Sequence, residues 1–96
     1  MRPSEALKLH RDHIREIALS HRVTNVRVFG SVITHEDSEE SDLDLLVQPT
    51  SETTYFDLGA IQYELSDLLD LNVEVLTPDS LPARFCEQVL HEAQPL

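Results

Sequence analysis

A chain of 96 residues with 7 basic and 18 acidic side chains has a formal net charge of −11. That surface repels a polyanion and lacks the Lys and Arg that displace phosphate counterions, so free nucleic acid is excluded as a ligand and a basic protein is the partner it would attract. Hydrophobic residues at 41% suit one globular domain spanning residues 1–96 rather than a disordered chain.

Nothing approaches the roughly 20 apolar residues of a membrane span, so no membrane partner is expected. Met1 to Ser20 is charged throughout, without the apolar stretch of a signal peptide. The single cysteine, Cys86, has no internal disulfide partner, which fits a cytoplasmic location.

In chain order, Ser4 is placed to cap a first helix, in which Leu7, Ile14, Ile17 and Ala18 recur at helical spacing up to about Ser20. Val23–Phe29 alternates and is rich in β-branched residues, which predicts a strand ending at Gly30. A short helical turn follows Gly30, and the polar, acidic stretch His35–Ser41 reads as an exposed loop. Leu43–Val47 is a second strand, closed by Pro49. Leu58, Ile61, Leu65 and Leu68 form one stripe of a second long helix. Val73–Leu76 is a third strand, and Pro78-Asp79-Ser80 starts a final helix carrying Phe85 and Val89. The expected class is α+β (α/β): a small mixed sheet of three to four strands with helices packed on it.

Three places carry chemistry. Gly30-Ser31 follows a strand directly in a chain with only 2 glycines. Glycine permits positive φ and close approach of a ligand to the main chain, and Ser31 with the amides after it suits a phosphate. Taken alone, the dipeptide is better read as the end of a strand and the cap of a turn. In Asp42-Leu43-Asp44, residues two apart in a strand share a face, so both carboxylates project together and Leu43 and Leu45 project to the other side. Two such acids repel unless a cation neutralises them, and hard oxygen ligands suit Mg²⁺. Taken alone, an Asp-x-Asp is also met as a harmless solvent-facing pair. Glu74, inside the apolar run Val73–Leu76, is a third acid. If the second and third strands are neighbours, it joins the pair, and three carboxylates would hold two metals about 3.5–4 Å apart, as in phosphoryl displacement.

Together, Gly30-Ser31, ten residues and Asp42-Leu43-Asp44 resemble the signature of the DNA polymerase β-like nucleotidyltransferase superfamily. The small size, Leu76-Thr77-Pro78-Asp79-Ser80-Leu81 and the closing Val89–Leu96 segment look like its minimal nucleotidyltransferase (MNT) branch. The resemblance implies the polymerase β-like fold and a type VII-like antitoxin. Such an enzyme transfers AMP from ATP, with Mg²⁺, to a tyrosine of a cognate HEPN ribonuclease toxin, in a hetero-oligomer with that more basic protein. It assigns Gly30 and Ser31 to the triphosphate and Asp42 and Asp44 to two Mg²⁺ ions. Glu74 takes the third-carboxylate position, as metal ligand and base for the incoming hydroxyl. Two departures stand out. Family members usually carry arginines soon after Gly-Ser, whereas Val32–Asp37 has no Lys or Arg, and none follows before Arg84. The third acid is Glu where Asp is frequent. A catalytically weak antitoxin that neutralises by direct binding is the alternative, ahead of AMP transfer to a small molecule such as an aminoglycoside.

The remaining candidates are assigned structural roles. His10, His13 and His21 are expected at the surface or core edge of the first helix, Tyr55 and Tyr63 as helix packing residues (an exposed one could instead accept a nucleotide or contact a partner), and Cys86 as a small core residue. The acid run Glu36, Asp37, Glu39, Glu40 lacks the glycine and spacing of an EF-hand and reads as a solvated loop.

Overall fold

The computed structural model describes residues 1–96. Helix α1 spans Pro3–Leu19. Proline suits its first position, where no backbone N–H is needed, and Glu5 accepts from the Arg2 amide at 3.3 Å. The expected cap is thereby corrected: Ser4 lies inside the first turn, and its amide donates to Asp37 Oδ2 at 3.0 Å, tying the acidic loop to the start of the helix. Helical geometry breaks locally at His10, and the helix ends before His21, which pairs with Glu64 in the turn beyond.

Strand β1 (Val23–Phe29) leads through Gly30 into the single turn α2 (Ser31–Thr34). Strand β2 (Leu43–Pro49) feeds helix α3 (Tyr55–Leu69), which is capped reciprocally. Thr54 Oγ1 accepts from the Asp57 amide at 3.2 Å, and Asp57 Oδ2 accepts from the Thr54 amide at 2.9 Å. Strand β3 spans Val73–Leu76. Pro78–Ser80 forms a separate 3-10 turn, so the final helix α4 begins later than expected, at Ala83–Glu92. A two-residue strand, β4 (Gln94–Pro95), completes the sheet.

The sheet order is β3-β2-β1-β4. β2 and β3 are parallel, joined by α3 as a crossover, and the other pairs are antiparallel. One sheet face packs on α1 and α3. Val26 and Val28, Leu43, Leu45 and Val47, and Val73 and Val75 meet Ala6, Ile14 and Ala18 from α1, with Ile61, Leu65 and Leu69 from α3. Each fully buried Leu or Ile here contributes roughly 1.5–3 kcal/mol of transfer free energy. Leu69 replaces the expected Leu68, which is one position round the helix and partly exposed.

Alternation then dictates the other face. Arg27 and Phe29 of β1, Asp44 and Leu46 of β2, and Glu74 and Leu76 of β3 point away from α1 and α3. Leu46 is nevertheless fully buried, lying opposite Arg27 in the ladder. Helix α4 buries none of its residues, and Phe85 and Leu90 remain substantially exposed.

Candidate active site

Asp44 is the centre of the open face. It lies opposite Phe29 across the β1–β2 ladder and opposite Glu74 across the β2–β3 ladder. Residues paired in this way share a face, so the strand order alone brings Asp44 and Glu74 side by side. Asp42 immediately precedes β2, which begins at Leu43 as expected, and its charge still acts on Asp44.

Gly30 fits this centre closely. Its φ of +80° lies in the region that side chains other than glycine avoid, and a Cβ built there would stand 2.3 Å from Asp44 Oδ2. The glycine therefore serves the backbone and the carboxylate at once. Ser31, half-buried, opens α2. The carbonyl of Gly30 accepts from the Ile33 amide at 3.0 Å, and His35, in the left-handed region, closes the turn.

Burial in this crevice pushes the Asp44 carboxyl up to about 6 from an ordinary 3.8, reinforced by the charge of Glu74, a hydrogen bond with it and the charge of Asp42. No protein cation relieves the repulsion: the ion pairs of the structure join the Met1 amino group to Glu39 and His21 to Glu64. A divalent cation suits this donor set, being hard, doubly charged and content with one or two carboxylates beside water and phosphate oxygens. The side chains do not by themselves close into a three-ligand cage, so water and phosphate would complete any coordination shell.

Arg27 also lies on this face, although the motif spacing, which directs attention to cations after Ser31, does not reveal it. The alternation Val26-Arg27-Val28 was the available signal, since two buried valines force the arginine to the open face. The aromatic expectations also need correction. Tyr55 is 91% exposed and Tyr63 75%, so neither packs in the core, and Phe56 stands out beside them at 89%. Cys86 is only half-buried, with Sγ 3.6 Å from the carbonyl of Pro78. Two shallow concavities lie near Tyr55, Leu58, Thr77 and Asp79. They flank the start of α3 and the far ends of β2 and β3, and none of the candidate site residues lines them.

An acid cluster on the sheet face turned away from α1 and α3, with a glycine turn pressed against its central aspartate, is nucleotidyltransferase architecture. The family model described as polymerase beta, nucleotidyltransferase, matches residues 12–96, and the chain belongs to that family. It has the minimal form of the domain. A solved structure described as a minimal nucleotidyltransferase is 39% identical, with a TM-score of 0.85 over 97% of this chain and 95% of the other. A Methanocaldococcus jannaschii protein named as a protein adenylyltransferase is 36% identical over 77 residues, which cover 80% of this chain and 83% of that one. The fold also matches a toxin–antitoxin crystal structure with AMP-PNP at a TM-score of 0.74 and 19% identity, covering 88% of this chain and 69% of that one. A complex of a tri-AMPylated Shewanella oneidensis HEPN toxin with its MNT antitoxin matches at 0.69 and 18%, covering 92% and 69%.

Proposed function

We propose that this nucleotidyltransferase transfers AMP from ATP to a tyrosine of a cognate HEPN ribonuclease toxin, and so acts as its antitoxin in the cytoplasm. The observation that carries the reading is the register Asp44 opposite Glu74, with Gly30 against Asp44 and no protein cation on the acids. The relatives named as protein adenylyltransferases and the fold shared with MNT antitoxins support this reading of substrate and partner.

Asp42, Asp44 and Glu74 would hold Mg²⁺, two ions in the full complement, which supplies charge neutralisation for the triphosphate and the departing pyrophosphate. Gly30 and Ser31 present main chain and hydroxyl to the phosphates. Glu74, the most exposed of the three acids, would take the proton of the tyrosine hydroxyl. The tyrosine oxygen bonds to the α-phosphorus, the bond from that phosphorus to the bridging oxygen breaks, and pyrophosphate leaves. An excess of 11 negative charges draws in a more basic toxin and favours a hetero-oligomer.

The test is mass spectrometry of the toxin encoded beside this chain after incubation with the chain, Mg²⁺ and ATP. Increments of one or more AMP on a tyrosine are expected, and none with Asp42→Ala/Asp44→Ala. No increment with the wild-type chain, together with undiminished neutralisation by the double variant, refutes transfer. That outcome would establish the second reading, neutralisation by contact alone, which the exposed Tyr55 and Phe56 favour as a ready protein-binding surface.

A further inference from the structure

Arg27 is the one cation that the β1–β2 ladder places on the face of the acid cluster. It lies opposite Leu46, two residues along from the Phe29–Asp44 pair, and β4 flanks it on the other side through Pro95. Diagonal positions of this kind lie about 7–8 Å apart, within reach of a long side chain. Its Nε is buried without any hydrogen-bond partner, and its guanidinium forms no ion pair in a chain with 18 acidic residues. That nitrogen is closed off, whereas the terminal guanidinium nitrogens are not buried and make no hydrogen bond within the chain, so they are the donors left for an outside acceptor.

We propose that Arg27 grips the phosphates of the incoming nucleoside triphosphate, supplying from β1 the positive charge that Val32–Asp37 lacks. The inference rests on the nucleotide reading above and adds the residue that holds the polyphosphate. Guanidinium geometry suits this task, since its planar fork donates two parallel hydrogen bonds to one phosphate. The alternative role is structural, because Arg27 lies opposite Leu46 in the ladder and Leu46 is fully buried. The two roles separate cleanly: methionine keeps an apolar stem and loses the charge, whereas lysine keeps charge and stem but loses the fork.

The experiment measures equilibrium binding of MgATP and of adenosine to the wild-type chain, Arg27→Met and Arg27→Lys, with thermal melts alongside. Arg27→Met should weaken MgATP by about ten- to a hundredfold, the worth of one or two charge-assisted hydrogen bonds. Arg27→Lys should lie between, adenosine affinity should be unchanged, and Arg27→Met should melt no lower than the wild type, because it removes an unpaired buried donor. In turnover, KM for ATP should rise more than kcat falls. Wild-type MgATP affinity in Arg27→Met overturns the role of Arg27 and leaves the nucleotide reading standing. Equal losses for adenosine and MgATP also overturn it, as damage to the pocket. A wild-type chain that binds no MgATP overturns the nucleotide reading and this one with it.

Discussion

Replacing Asp44 by Asn should stabilise the metal-free protein at neutral pH while abolishing nucleotide transfer. The sign follows from the raised carboxyl. An acid whose folded pKa lies above its unfolded value favours the fold in its protonated form, so that contribution is full below about 4 and is lost as pH rises through about 6. The displacement from 3.8 to about 6 corresponds to a ceiling of about 3 kcal/mol. Asp44 is only half-buried, and solvent screening reduces this to about 1–2 kcal/mol. Asparagine is isosteric, carries no charge to repel Glu74 and Asp42, and so recovers that amount above pH 7. For a domain of this size the gain is a rise in Tm of roughly 5–10 °C. Thermal melts in EDTA at pH 4 and pH 7.5 measure it: the two proteins should melt together in acid, and Asp44→Asn should melt higher at pH 7.5. Parallel pH dependence of the two Tm values would refute the account of the crevice. Added Mg²⁺ should raise the wild-type Tm at pH 7.5 and act much less on the variant.

Gly30→Ala places a methyl group 2.3 Å from Asp44 Oδ2 at a φ of +80°, so the turn or the carboxylate must move. A loss of about 1–3 kcal/mol in urea unfolding is expected, with transfer activity reduced well beyond the fraction unfolded. Thr54→Ala removes the cap of α3 far from the acids; it should cost about 1 kcal/mol by the same measurement and leave kcat unchanged. Leu45→Ala, next in sequence to Asp44 but fully buried on the opposite face, should cost about 2–5 kcal/mol at every pH, and a pH-dependent loss would argue against the face assignment.

Local pattern made much of this molecule legible. Val23–Phe29 and Val73–Leu76 were bounded correctly because alternation and β-branching act within each segment. Gly30-Ser31 and Asp42-x-Asp44 were readable as a spacing, and the structure presses Gly30 against Asp44. What was hidden depends on distant partners. Gln94–Pro95 has no strand propensity of its own and becomes β4 only by pairing with Arg27 and Val28. The meeting of Asp44 with Glu74 was conditional in the sequence, since adjacency of β2 and β3 is settled by how α3 crosses between them. Tyr55 and Tyr63 misled because a helix turns its residues through every direction, and Ile61, Leu65 and Leu69 already fill the buried stripe.

The division of one sheet into two faces explains how so small a chain supports a charged site. Leu43 and Leu45 alternate with Asp44 on a single strand, so apolar burial on one side anchors the carboxylate held on the other. Because α1 and α3 take only the core face, the acids keep access to solvent, cation and substrate without breaching the core. Such a strand tolerates mutual repulsion of Asp44, Glu74 and Asp42, since the backbone positions are fixed by packing that those charges do not touch. The repulsion is thereby confined to the site, where binding a cation would relieve it. In the nucleotidyltransferase reading, that relief becomes a source of metal affinity rather than a defect of the fold.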